Sequence, residues 1–305
     1  MKEIIGFIKG YYHSTSKPVL FASISFTALL TWMNYGLDLE PLMVSADYLP
    51  FQPILGHLII YAAAFFFPYV LIILRNNDLP GNPVMVFSCL LLAPLVFAVK
   101  VGMNSHLPVT LNKEWNEYWN HIIYWPMRLL VMVTLLLVCK FLFFKTDPFF
   151  GLRLKSFNAT PYFLMLVIMI PLISLASMQH DFLNAYPKIK MVLPLPSQAD
   201  PGVLFKTLFE LSYGSDFFSI EIFFRGFLVI GLAKWFGKDA ILPMACFYCT
   251  IHFGKPLGEC ISSFFGGMLL GIVSYHTRSI FGGLIVHLGI AWLMEAGGYF
   301  GNMMQ

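Results

Sequence analysis

Apolar residues along this chain gather in long runs and do not alternate with polar ones. Runs from about Pro18 to Tyr35, Ile54 to Leu74, Pro83 to Met103, Ile122 to Phe144 and Pro161 to Met178 each suit a helix crossing about 30 Å of hydrocarbon at about 1.5 Å per residue. Beyond residue 203 the pattern resumes near Val203–Phe236, Ala240–His252, Ile261–His276 and Ile280–Phe300, now broken by glycines and with two shorter segments. Only helices and closed barrels satisfy their backbone groups in lipid, and these runs have helical length. The pattern predicts an all-α, polytopic transmembrane helix bundle of about eight to nine spans. Residues 4–12 form a separate amphipathic stretch, with Ile4, Ile5, Ile8, Tyr11 and Tyr12 expected along one side of a helix lying on the membrane surface.

Composition agrees with that solvent. Of 305 residues, 58% are hydrophobic and 11% charged, and the mean hydropathy is +0.73, which excludes an ordinary water-soluble domain. The net charge of +3 is what cationic inner loops produce, so no nucleic-acid partner is expected and the bilayer itself is the first partner. Lys2, Lys9 and Lys17 precede the first run, Arg75 follows the second, Lys140 to Lys155 surround a later loop, and Lys234, Lys238 and Arg278 lie between the last ones. The alternate connections carry Asp38, Glu40 and Asp47, then Glu114 and Glu117, then the proline-rich "YPKIKMVLPLPSQADP", whose two lysines break the trend. This alternation predicts a cytoplasmic N-terminus in a multi-pass protein, whose membrane is expected to be a bacterial inner membrane. The first run starts late and lacks a small-residue cleavage site, so it is expected to be a retained anchor.

The five cysteines, Cys89, Cys139, Cys246, Cys249 and Cys260, lie in or beside apolar runs and are expected to be buried free thiols. Cys246, Cys249 and His252 have the spacing C-x-x-C-x-x-H, but three-residue steps on a helix drift by about 60° and do not converge on one metal.

Chemistry concentrates in the second of two regions, 1–202 and 203–305. In "SIEIFFRG" a glutamate, Glu221, and an arginine, Arg225, stand four residues apart among isoleucine and phenylalanine. Ionisable groups at membrane depth cost several kcal/mol unless paired or wetted. On an α-helix Arg225 is expected to lie over Glu221, either to orient a working carboxylate or simply to clamp the bundle. His252 ends one segment, Glu259 follows in "HFGKPLGEC", and His287 sits inside "GGLIVHLGIAW". Gly267 and Gly271 form a G-x-x-x-G face that permits close helix approach. A carboxylate with two imidazoles is a minimal set for activating water against an amide, with the glutamate as base and the histidines holding an oxyanion or a metal. No G-x-S-x-G elbow supports serine catalysis.

Three short stretches, "IEIFFR" (220–225), "YCTIH" (248–252) and "HLGIA" (287–291), with the glycine-rich run between the last two, resemble the motifs E-E-x-x-x-R, F-x-x-x-H and H-x-x-x-N of the CPBP intramembrane proteases. These are also called the Abi family and include CAAX prenyl proteases and bacteriocin-processing enzymes. The resemblance covers roughly residues 203–300. It implies a membrane-embedded hydrolase that cleaves a membrane-proximal peptide, with Glu221 as general base, Arg225 orienting it, and His252 and His287 as oxyanion or metal ligands. In its metalloprotease form, Glu221, His252 and His287 would hold a divalent ion such as zinc. Ile220 stands where the family has its first glutamate, Tyr248 where it has phenylalanine and Ala291 where it has asparagine. A turn through "FGKPLG" could bring Glu259 back toward the histidines in partial compensation. Two readings follow: a glutamate-dependent intramembrane peptidase, or a non-catalytic relative that binds a peptide or partner protein in an immunity or scaffolding role. A transporter is third, because the first region lacks matching broken helices.

Overall fold

The computed structural model describes residues 2–45, 51–102, 113–145, 148–154, 158–192 and 202–304. Asp47, Lys155 and residues 193–201 of the proline-rich loop, used above to read orientation, lie outside the described residues. In chain order the helices are α1 (Lys2–Ser14), α2 (Lys17–Leu37), α3 (Leu39–Val44), α4 (Gln52–Asn76), α5 (Pro83–Gly102), α6 (Lys113–Phe143), α7 (Thr160–Ala176), α8 (His180–Ala185), α9 (Gly202–Glu221), α10 (Ala233–Phe236), α11 (Ile241–Thr250), α12 (Leu257–Thr277) and α13 (Phe281–Met303). A π-helical segment, Ile222–Gly231, continues α9. Over the described residues, each of the nine apolar runs is helical for most of its length. Six helices among the described residues are long and apolar enough to cross a membrane, and the apolar α7 has 17 residues. The protein is a multi-pass membrane helix bundle. Proline lies inside α4, α5, α6 and α7, as membrane helices tolerate when neighbouring groups meet the freed carbonyls. Large apolar side chains such as Phe21, Leu74, Leu91, Leu130 and Phe163 face outward, where lipid makes their exposure cost nothing.

The chain forms two compact units. One comprises Met1–Met103, Thr134–Leu154 and Ile222–Ile280; the other comprises Asn104–Val133, Lys155–Glu221 and Phe281–Gln305. Each takes residues from both sides of position 203.

The first unit is built around aromatic rings. Phe97 meets Phe223, Phe224 and Phe247 with ring centroids 5.1, 5.0 and 5.8 Å apart, edge and tilted geometries that favour the ring quadrupoles. Against this cluster α11 packs on α12 through the predicted glycine face. A Cβ on Gly267 would stand 2.7 Å from Cδ1 of the Tyr248 ring, and one on Gly271 would stand 2.5 Å from Cε of Met244 and 3.2 Å from Cγ2 of Ile241, so the two glycines let the helices approach closely.

Helix α1 departs from expectation. Ile4 and Tyr11 are buried and Phe7 stacks on His276 of α12 with ring centroids 4.2 Å apart, whereas Ile5, Ile8 and Tyr12 face outward. The expected single apolar side is divided between two partners, protein and surroundings, because positions 4, 7 and 11 share a stripe that 5, 8 and 12 do not. Lys238 donates to the Ser14 carbonyl at 2.9 Å and ties down the end of α1.

In the second unit, Tyr118, Trp125, Phe209, Tyr213 and Phe217 form a buried cluster with Ile189, Val192 and Ala291. Helix α13 also packs on α7 and α8, where Ile173, Phe182, Leu183 and Tyr186 are buried together.

Candidate active site

Within the second unit, Glu221 and His287 meet. Glu221 is the last residue of α9 and is fully buried. One turn earlier on the same helix face is Phe217, and Gly214 leaves room for Leu288 and Trp292 of α13. This close approach brings the His287 ring edge-on to Phe217, with centroids 4.7 Å apart, and sets its Nδ1 3.0 Å from Oε1 of Glu221. An ionised carboxylate can only accept, so Nδ1 carries the proton and the neutral ring presents Nε2 as an acceptor. The side chain of His287 is 12% exposed while that of Glu221 is 0% exposed. The carboxylate is placed to act through the ring: it fixes the tautomer and would stabilise an imidazolium if Nε2 took a proton.

Within the first unit, His252 follows the end of α11. Its Nδ1 is 2.9 Å from the Tyr248 carbonyl oxygen. A carbonyl also only accepts, so Nδ1 again carries the proton and Nε2 is the acceptor of the neutral ring. The ring stands edge-on to that of Tyr248 at 4.8 Å, and the guanidinium of Arg225 lies 4.3 Å from the Tyr248 ring centroid. Arg225 is fully buried, so this cation–π contact is desolvated and is worth about 2 kcal/mol. One tyrosine thus contacts both the arginine of the first motif and the histidine of the second.

The chain does not keep α-helical winding through "IEIFFRG". At Ile222 the helix widens into the π segment, with Leu232 N–H donating to the Phe227 carbonyl at 3.1 Å, five residues back. Such widening recurs at functional sites and changes which face each side chain occupies. Glu259 lies in the first turn of α12, where the helix dipole favours an acid, with its carboxylate 3.6 Å from Nζ of Lys255.

A catalytic zinc takes three protein ligands. Among the described residues no three His, Cys, Asp or Glu side chains converge in that way. His287 directs Nδ1 to a carboxylate at hydrogen-bond distance, and Cys249 turns its sulfur to Cys260, 3.8 Å away. All five cysteines are buried free thiols, as expected.

Sequence reading misses Phe217, which looks like an ordinary core aromatic four residues before Glu221, and it marks Tyr248 only as a motif position, not as the contact of both Arg225 and His252. It also passed over Lys100, a buried ammonium 5.1 Å from the Phe97 ring centroid. A lysine near the end of an apolar run reads as interfacial, and only the packing reveals its burial.

Comparison with known proteins bears on this geometry. Residues 215–293 match the family described as Type II CAAX prenyl endopeptidase Rce1-like. Glu221, Arg225, His252, Glu259 and His287 all fall inside the matched segment, as do Ile220, Tyr248 and Ala291. No curated protein and no solved structure matches the chain.

Proposed function

We propose that the protein is an intramembrane peptidase of the CAAX-protease type, hydrolysing a peptide bond close to the membrane surface in a substrate anchored by a prenyl group. The observation that carries this reading is the Glu221–His287 pair, 3.0 Å apart inside the segment matching the family. In the reaction, Nε2 of His287 takes a proton from water as the hydroxide attacks the scissile carbonyl. Glu221 holds the Nδ1 proton and balances the imidazolium charge. The same proton then goes to the departing amine, so the pair ends as it began. His252 enters the proposal through its motif, as the second imidazole that the resemblance implies. With Nδ1 committed to Tyr248, it can donate to an oxyanion only from Nε2, and hence only when protonated.

The apolar burial of Ala291, where the family carries asparagine, and Ile220 in place of the first glutamate favour a second reading: a non-catalytic relative that binds a membrane peptide or partner protein. One experiment separates them. Purified protein in nanodiscs, given a farnesylated peptide ending in C-a-a-X, releases the C-terminal tripeptide if it is a peptidase and shows saturable binding without release if it is a binder. We further propose residence in a bacterial inner membrane with the N-terminus and the 145–155 loop in the cytoplasm, which the basic residues of those segments support.

A further inference from the structure

The turn that carries His252 is held from outside the family-matched segment. Residues 252–256 connect α11 to α12 around Gly254 and Pro256, and a helix end leaves carbonyls that need donors. Local bonds meet part of this need, as where Lys255 N–H donates to the His252 carbonyl at 3.0 Å. Further bonds come from the last turn of α2. Asn34, buried, donates from Nδ2 to the Phe253 carbonyl at 3.2 Å, while its Oδ1 accepts from Glu40 N–H at 3.0 Å. Exchanging the amide's two ends would set donor against donor and acceptor against acceptor, so both bonds fix one orientation. The Tyr35 hydroxyl donates to the Lys255 carbonyl at 2.6 Å, with a longer branch of 3.3 Å to the His252 carbonyl.

Two further features show that this meeting is built into the helices. Ser23, Thr27, Thr31 and Asn34 form a buried polar stripe on α2, and Thr31 reaches Cys249 on α11, at 3.9 Å between oxygen and sulfur. Beyond the turn, Glu40 sits 3.5 Å from Nε2 of the buried His57, whose Nδ1 meets the Pro53 carbonyl at 2.7 Å. That pair anchors the residue whose N–H orients Asn34.

We infer that Asn34 and Tyr35 are positioning residues that clamp the 252–256 turn and so hold the His252 imidazole in its working place. The inference rests on the reading of His252 as part of a hydrolytic site. Neither residue is expected to touch substrate. Each acts through the backbone of the turn, and their loss loosens that turn without unfolding the bundle.

The test uses the full chain in nanodiscs, with Tyr35→Phe, which removes one oxygen, and Asn34→Asp, which keeps size but turns a donor into an acceptor facing a carbonyl. Amide hydrogen exchange across 252–256 and kcat and KM on the farnesylated peptide are measured beside His252→Ala. The expected result is faster exchange in the turn, unchanged protection in the middle of α4 and α12, and a kcat lowered by about tenfold to a hundredfold at unchanged KM. Unchanged exchange in both variants overturns the clamp. Wild-type kcat in both variants, when His252→Ala is inactive, overturns the positioning role. A fully active His252→Ala overturns the reading of the site instead, and the exchange data then still report whether the clamp exists.

Discussion

Glu221 and His287 stand 3.0 Å apart, carboxylate oxygen to Nδ1, with the carboxylate enclosed and the ring reaching outward. In the proposed reaction the glutamate works through its histidine. Replacing Glu221 with glutamine keeps size and hydrogen-bonding capacity but removes the charge that stabilises the imidazolium. Glu221→Gln is expected to lower turnover by about 10²- to 10⁴-fold and to leave melting temperature and membrane insertion essentially unchanged. A large fall in melting temperature would mark the pair as structural.

The two histidines impose a pH dependence. His287 must be neutral at Nε2 to take a proton, and His252 must be protonated at Nε2 to donate one. Turnover is therefore expected to rise and then fall as a bell across the accessible pH range. Initial rates on the farnesylated peptide would show it. A profile flat across that range contradicts the assignment of opposite protonation states.

Arg225 is buried over the ring of Tyr248. Truncation removes a desolvated cation–π contact and leaves a cavity, so Arg225→Ala is expected to cost about 2 to 5 kcal/mol. The loss is read as a lowered melting temperature in detergent together with impaired activity. An unchanged melting temperature would count against burial of the guanidinium.

Two neighbouring glycines should respond in opposite ways. A Cβ at Gly267 would press on Tyr248, whereas one at Gly266 meets nothing within 4 Å. Gly267→Ala is expected to destabilise by about 1 to 3 kcal/mol and to disturb the Tyr248 contacts with Arg225 and His252. Gly266→Ala is expected to be neutral or to stabilise by about 0.5 to 1 kcal/mol through helix propensity. Thermal melts of the two variants side by side test the α11–α12 packing. Equal effects would contradict it.

The helical bundle was plain in the runs of apolar residues, because lipid demands a continuous apolar length that few soluble folds share. The glycine face of α12 was also legible, since a four-residue spacing of the smallest residue has few uses. The local geometry of the site was less so. Nothing in "IEIFFRG" announces the change to π winding at Ile222. The partner of Glu221 lies 66 residues later in the chain, and only packing at Gly214 selects it. The division of α1 between α12 and the surroundings follows from where the end of α12 lies, which no local pattern encodes. Asn34 and Tyr35 read as the polar end of a span, and their bonds to the 252–256 turn are long-range.

The central claim is that Glu221, His252 and His287 serve one hydrolytic reaction, and combined substitution tests it most directly. Turnover of the farnesylated peptide is measured for Glu221→Gln, His252→Ala, His287→Ala and the pairwise combinations, with Glu259→Gln as the comparison. The account predicts that each single change removes most activity, that the double changes cost little more, as for residues acting as a unit, and that Glu259→Gln stays active. Full activity in Glu221→Gln with loss in Glu259→Gln would contradict it, as would wild-type protein that binds the peptide and never releases its C-terminal tripeptide.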